Sequence, residues 1–172
     1  GAQHRHRRAE VFQQVRQSVV TVQVVVGTDR QCSGSGAIIG QDAAGRSYVL
    51  TNRHVIDCAK RRSDKAVFEV LHDSGARFAA ELDFRSVQHD LALLAVDGIG
   101  EFSRPVSLRP RAELHVGESV YALGSPLRLR GTFTSGIISA LRQDRLQTDA
   151  AIGPGSSGGP LFDRHGMLCG VI

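Results

Sequence analysis

The amino-acid sequence predicts an all-β fold of two small antiparallel barrels, preceded by one short helix. Three observations lead to this prediction. Short runs that are β-branched, or that alternate between apolar and polar residues, recur along most of the chain. Turn signals rich in glycine, proline and aspartate separate these runs. Helical periodicity is confined to the N-terminus, and many short strands with little helix are typical of barrels or sandwiches.

The N-terminal stretch RRAEVFQQVRQ predicts a short amphipathic helix, because Val11, Phe12 and Val15 recur at helical spacing. After Ser18 the pattern changes, and the turn signals DAAGR, HDSGA and DGIG separate several strand-like runs. We expect these runs to form the first barrel, residues 18–100. The predicted strands are VVTVQVVV, SGAIIG, SYVLTN, AVFEVLH, ARFAAELDF and LALLAV.

A second set of strand-like runs follows the stretch DGIGEFSRP and predicts the second barrel, residues 101–172. Its strands are VSLR, SVYALG, GTFTSGIISAL, RLQTDAAI, GPLFD and MLCGVI. A length of 172 residues fits one domain of two lobes, residues 1–172. Apolar residues make up 41% of the chain and aromatic residues only 5%, so the core must rest on Val, Leu, Ile and Ala.

The composition argues against a membrane protein and against a nucleic-acid-binding protein. We expect no membrane span, because no apolar run is long enough, and the chain shows no signal peptide at its start. Much of the net charge of +4 lies in His4–Arg8 and Lys60–Arg62. Aromatic residues that could stack on bases are not interleaved there, which favours solvated surface charge. A polyanion binder that uses these basic segments stays open as an alternative.

The cysteine pattern argues against a metal site. Cys32, Cys58 and Cys169 lack the CxxC spacing of zinc and redox sites, so we expect no metal, and the sequence implies no cofactor. Three cysteines allow one disulfide with one thiol left over.

Three stretches carry residues that together can activate a serine. LTNRHVI places His54 on a short turn after a strand, HDLALLAV places Asp90 before an apolar strand, and GPGSSGGPLFD places Ser157 in a glycine-rich loop. Taken singly, each residue has a commoner explanation in a solvated histidine, a turn aspartate or a loop serine. A serine hydroxyl becomes a good nucleophile when an imidazole takes its proton and a carboxylate orients that imidazole. In this order, across two successive lobes, the three residues predict a catalytic triad.

The glycines around Ser157 predict an oxyanion hole. Gly155 has no Cβ to obstruct its backbone N–H and can adopt a positive φ. The backbone N–H of Ser157 would be the second donor to the oxygen of a tetrahedral intermediate.

Six segments, in the same order, resemble the successive blocks of HtrA/Deg-type, trypsin-like serine proteases: SGSGAII, YVLTNRHVI, HDLALLAV, VYALGSP, TFTSGIISAL and QTDAAIGPGSSGGPLFD. The resemblance implies a chymotrypsin-like fold of two six-stranded antiparallel barrels, with the active site in the cleft between them. It also implies peptide-bond hydrolysis through an acyl-enzyme. In that reaction Ser157 is the nucleophile, His54 the acid and base, and Asp90 the residue that orients the imidazole.

The resemblance carries further expectations about specificity, the disulfide and partners. Ala151 stands where relatives that cut after Arg or Lys hold Asp, and Ile152 adjoins it, so the S1 pocket should accept small or medium aliphatic side chains. A disulfide beside the catalytic histidine of digestive relatives implies a Cys32–Cys58 bond, which fits a periplasmic or secreted protein. Cys169 is then a buried small hydrophobe. Substrates are polypeptides, and family members often form trimers.

The resemblance also implies a further strand after Gly-Val-Ile, which forms one wall of the S1 pocket, and then a closing helix. We therefore expect a second barrel that is truncated at its C-terminal strand, with an open edge and weak substrate binding. Two alternatives remain open. One is a protease-fold binding module with little or no catalysis, and the other is esterase or acyl-transfer activity of the same triad.

Overall fold

The computed structural model describes residues 1–58, 66–124, 132–153 and 157–172, apart from the side chains of His4, His6 and Gln31. Helix α1 spans Ala2–Val15 and ends in a 3-10 turn, Arg16–Ser18. It begins before the stretch in which the sequence predicted a helix. Val11 and Val15 are each only 1% exposed, which confirms the apolar face that their spacing predicted. None of the helices in these ranges is long and apolar enough to cross a bilayer.

Six strands close the first barrel, in the order β1-β2-β3-β6-β5-β4. The strands are β1 Val19–Val26, β2 Asp29–Gln41, β3 Ser47–Asn52, β4 Ala66–Leu71, β5 Arg77–Ser86 and β6 Leu91–Val96, and α2 (Arg53–Asp57) follows β3. Neighbouring strands are antiparallel. Alternate residues point inward and form the core, among them Val20, Val22, Val49, Leu94 and Val96.

The second β-structure is a five-stranded sheet in the order β11-β10-β7-β8-β9. Its strands are β7 Ser119–Leu123, β8 Phe133–Arg142, β9 Arg145–Thr148, β10 Pro160–Phe162 and β11 Leu168–Val171. Successive residues of β7 face two different apolar clusters, Tyr121 and Leu123 on one side and Val120 and Ala122 on the other. Helix α1 packs on the first of these clusters, where the Phe12 and Phe133 rings lie 5.4 Å apart.

This architecture confirms the predicted all-β fold of two barrel-like units. The first unit is closed, and the second is a curled half-barrel in the part of the chain that the structure describes. The 3-10 turns Ile99–Glu101 and Arg111–Glu113 lie in the stretch between β6 and β7.

Three of the predicted strands differ from the structure. The run SGAIIG lies within the much longer β2, which already begins at Asp29. VSLR forms no regular strand, and Leu108 makes only an isolated parallel bridge to Leu168. Prolines on both sides of VSLR remove backbone donors and limit a longer ladder. Only Arg145–Thr148 of RLQTDAAI is a strand. After Thr148 the side chain of Asp149, and not a backbone carbonyl of the strand, accepts the N–H of Ile137 on β8 at 2.7 Å.

Candidate active site

His54 lies on α2, a five-residue helix that begins where β3 ends. The sequence predicted only a short turn there. Asn52 at the end of β3 pairs with Leu91 at the start of β6, so the residue before β6 comes alongside α2. The N–H of Arg53 donates a hydrogen bond to the carbonyl of Asp90 at 3.0 Å. Strand register therefore puts His54 next to Asp90, although 36 residues separate them in the sequence.

Asp90 has a φ of +53°, the only positive φ of a non-glycine residue within the described ranges. Aspartate tolerates this left-handed conformation better than most residues. The turn directs the Asp90 carboxylate at His54. Oδ1 accepts the His54 backbone N–H at 2.9 Å, and Oδ2 lies 2.7 Å from His54 Nδ1.

The Asp90 side chain is 43% exposed. Burial raises the pKa of its carboxyl group, but the hydrogen bonds from the His54 side chain and backbone lower it, as do the charges of His54 and Arg53. The net result is a pKa below the ordinary value of 3.8. Asp90 is therefore a carboxylate at neutral pH, and it can hold one tautomer of the His54 ring.

Ser157 reaches His54 from the second sheet, and its Oγ is hydrogen-bonded to His54 Nε2. The carbonyl of Ser157 accepts the N–H of Ser35 at 2.8 Å, which fastens the serine to strand β2. Gly158 has a φ of +82°, and a Cβ there would collide with the Ser35 carbonyl and the Thr51 hydroxyl. Glycine after Ser157 thus lets the serine loop lie directly against the first barrel.

The structure brings together the three side chains that the sequence singled out. The His54 ring connects a carboxylate on one nitrogen to a hydroxyl on the other. Such an arrangement can take a proton from the hydroxyl and stabilise the resulting positive charge. The chemistry that fits it is activation of Ser157 as a nucleophile.

The structure describes only some of the other predicted site residues. Gly155 lies outside the described residues, as do Lys60–Arg62 of the basic loop. The carbonyl of Ala151 accepts the Thr134 hydroxyl at 2.7 Å. Ile152 is 51% exposed and, with Asn52 and Asp90, lines a hollow of about 630 Å³ between the two units.

Sequence reasoning missed Asn52 as a functional residue. Its side chain is buried, and Nδ2 donates to Ser157 Oγ at 3.3 Å and to the carbonyl of Ile172. Asn52 thereby links the candidate nucleophile to the end of β11. The available signal was an amide at the buried end of strand β3, two residues before His54.

The structure contains the predicted disulfide between Cys32 and Cys58, with a Cα–Cα distance of 6.6 Å. It ties strand β2 to the residue that follows α2. Cys169 is free and only half-buried, and burial raises the pKa of its thiol to about 12. Among the residues described, no group of three His, Cys, Asp or Glu side chains could hold a metal ion.

Comparison with known proteins adds independent information. A family model described as a trypsin-like peptidase domain matches residues 34–171. Protease Do-like 1, chloroplastic, from Arabidopsis thaliana is 38% identical over 91% of this chain. A probable periplasmic serine endoprotease, DegP-like, from Bartonella henselae is 38% identical over 80% of this chain. The chain spans 36% and 27% of the lengths of these two relatives.

A solved structure gives a similar result for the fold. The crystal structure of Deg5 superposes with a TM-score of 0.82 at 28% sequence identity, and the match covers 98% of this chain and 84% of that one.

Proposed function

The chain belongs to the trypsin-like peptidase family, among its HtrA/Deg-type serine proteases, and from this premise we propose that it hydrolyses peptide bonds as a serine endopeptidase. One observation carries the proposal, namely the unbroken hydrogen bonding from Asp90 through His54 to Ser157. The similarity alone would be weaker support, because the same fold hosts many functions.

In the proposed first step, His54 takes the proton of the Ser157 hydroxyl while Oγ attacks the substrate carbonyl carbon. His54 Nε2 is the acceptor, because Nδ1 is held by Asp90 at 2.7 Å. The ring becomes positively charged during the attack, and the Asp90 carboxylate stabilises that charge. His54 then gives the proton to the leaving amine, which departs and leaves an acyl-enzyme.

The second half of the reaction repeats the first with water as the nucleophile. His54 takes a proton from water, the hydroxide oxygen attacks the acyl carbon, and Ser157 recovers its proton. We assign the backbone N–H groups of Gly155 and Ser157 to the oxyanion hole in both halves. Each donor is expected to lower the barrier by about 3 kcal/mol.

We further propose that the substrates are polypeptides with small or medium aliphatic residues at P1. Ala151 and Ile152 offer apolar surface and no carboxylate for a basic side chain, and the Thr134 hydroxyl fixes the carbonyl of Ala151. In a series of peptides that differ only at P1, Val should be cleaved faster than Arg. Preference for Arg would contradict this assignment.

A periplasmic or secreted location and a trimeric assembly complete the proposal. The Cys32–Cys58 disulfide is stable in an oxidising compartment, and the Bartonella henselae relative is named as periplasmic. The trimer would be held by N-terminal segments that include α1.

Degradation of unfolded casein tests the proposed activity. The protein should release casein peptides, and Ser157→Ala should abolish this release. Ser139→Ala is the matched control, because Ser139 is an exposed serine on β8, and this variant should keep full activity. Casein that is bound but not cleaved would contradict the proposal and favour a binding module.

A further inference from the structure

Three charged side chains pack behind the His54–Asp90 pair, and we refer to Arg53, Asp57 and Arg85 as the charge cluster. Arg53 Nη1 lies 2.6 Å from Asp57 Oδ2, and Arg85 Nη2 lies 3.0 Å from the same oxygen. All three side chains are largely buried. Because two guanidinium groups share one carboxylate, the cluster carries one positive charge in excess.

The excess charge lies beside Asp90. Arg53 Nε is 4.0 Å from Asp90 Oδ1. This Nε is buried and has no hydrogen-bond partner among the described residues. The backbone N–H of Arg53 also holds the Asp90 carbonyl at 3.0 Å. Arg53 therefore contacts Asp90 through its backbone N–H and also places its guanidinium charge close to the Asp90 carboxylate.

Other charged groups face Asp90 from the open side. His89 precedes Asp90 and lies 3.6 Å from Asp144 in the turn between β8 and β9. Arg111, Asp144 and Arg145 line the same hollow as Asp90. His89 and Asp144 are about half exposed, so solvent and salt screen their charges more than those of the charge cluster.

We propose that Arg53 is a positioning residue that sets the electrostatic field at Asp90, and that Asp57 and Arg85 control how much of that field reaches the carboxylate. The inference rests on the proposed function, since it concerns the same His54–Asp90 pair. A positive charge beside Asp90 stabilises the carboxylate and weakens its attraction for a protonated His54 ring. The charge of Arg53 is one of the causes that hold the pKa of Asp90 below its ordinary value.

The sign of this effect separates electrostatics from packing. Arg53→Gln removes the excess positive charge, so Asp90 should favour the protonated ring more strongly. Asp57→Asn increases the excess, so it should do the opposite. If Arg53 and Asp57 acted only through packing, both variants would change the pH dependence of the site in the same direction. Arg53→Lys keeps the positive charge, so its pH dependence should be close to that of the parent protein.

The first measurement is the dependence of kcat/KM on pH for peptide cleavage. The acid limb of this kcat/KM profile should move to higher pH by about half a pH unit in Arg53→Gln. It should move to lower pH by a similar amount in Asp57→Asn. Arg85→Gln should shift it in the same direction as Arg53→Gln, by less. Arg77→Gln is the matched control, because Arg77 is an exposed arginine on the same strand and pairs with Glu69. It should leave the limb in place.

The second measurement needs no turnover. The ring nitrogen signals of His54 are followed by NMR against pH in the Ser157→Ala background, with and without each charge variant. Opposite displacements of the ring titration in Arg53→Gln and Asp57→Asn support the proposal, even if the parent protein cleaves no peptide and the proposed function fails. Displacements in the same direction, or none in folded variants, would overturn it, even if the protease activity is real.

Discussion

Asn52 shows how one side chain can join parts of a site that come from different strands. Its Nδ2 reaches Ser157 Oγ and the Ile172 carbonyl, while its backbone ends strand β3. A hydrogen bond donated to Oγ leaves the serine proton to point at His54 Nε2. Asn52 therefore selects the hydroxyl orientation that proton transfer requires.

We predict that Asn52→Ala lowers kcat about fivefold, with a smaller effect on KM, because one net hydrogen bond contributes about 1 kcal/mol. Steady-state cleavage of an aliphatic peptide measures both constants. Ser18→Ala is the matched control, since Ser18 is also buried and donates to a carbonyl, that of Arg104, far from the site. The prediction is wrong if Asn52→Ala lowers Tm as Ser18→Ala does and leaves kcat unchanged.

At the residue scale, the sequence predicted which residues carry the chemistry better than it predicted how these residues are arranged. His54, Asp90 and Ser157 could be selected because nucleophile activation needs these residue types. The role of Asn52 could not be predicted, because an amide at a strand end is common and its partners lie 105 and 120 residues away. The left-handed φ of Asp90 could not be predicted either, because nothing in the local sequence requires it.

At the scale of elements, the disulfide fixes the short helix that carries His54. A helix of five residues has little stability of its own. Val55 and Ile56 pack it on the barrel core, and Cys58 anchors its end to Cys32 on β2. The disulfide therefore restrains the helix that presents His54 to Ser157.

We predict that the double variant Cys32→Ser, Cys58→Ser loses about 3 kcal/mol of unfolding free energy. The cysteines are 26 residues apart, and closing a loop of this size constrains the unfolded chain by roughly that amount. Urea unfolding under non-reducing conditions measures the loss. Cys169→Ala serves as the control, because it removes the free thiol and keeps the disulfide. Equal urea midpoints for the double variant and its parent would refute this expectation.

The predicted elements succeeded where local pattern determines structure. β1, β3 and β6 match the predicted runs, because short runs of β-branched and apolar residues with little helical periodicity specify a strand. VSLR failed because its backbone groups bond to two different strands, Val106 to Ile38 on β2 and Ser107 and Arg109 to Leu168 on β11, so no regular ladder forms. Helix α2 was missed because a single turn is too short to show periodicity.

Across the whole molecule, Arg109 connects the segment before β7 to the second sheet. Nη1 lies 2.6 Å from Glu118 Oε1 and 3.4 Å from Asp163 Oδ2, and Nη2 donates to the carbonyl of Glu113. The Arg109 side chain is 16% exposed. Burial raises the pKa of Glu118, but the hydrogen bonds from Arg109 and His115 outweigh it, so the pKa lies below the ordinary 4.5.

We predict that this network stabilises the fold at neutral pH and loses its contribution in acid. A carboxylate whose pKa is lowered on folding contributes stability above its unfolded pKa of 4.5, and this contribution disappears as pH falls through the folded pKa. Arg109→Met should cost about 2 kcal/mol at pH 7 and much less well below pH 4.5. Urea unfolding at the two pH values measures this difference.

Arg104→Met provides the comparison, since Arg104 is an exposed arginine in the same segment. It should have little effect at either pH. A loss in Arg109→Met that is the same at both pH values would mean that the side chain acts by packing alone.

Only part of the overall architecture could be predicted from the sequence. Two units of short strands could be predicted from runs and turns. The closure of the first barrel depends on β1 pairing with β4 and β3 with β6, and these long-range registers have no local signal. The hollow beside Asp90 lies between the units, so it emerges only when both are packed together.

Identification of the serine that reacts with a fluorophosphonate tests the central claim most directly. The labelled protein is digested and its peptides are sequenced by mass spectrometry. The account predicts one adduct, on Ser157, and a much slower reaction in His54→Ala. An adduct on a different serine, or equal labelling of the parent protein and Ser157→Ala, would contradict it.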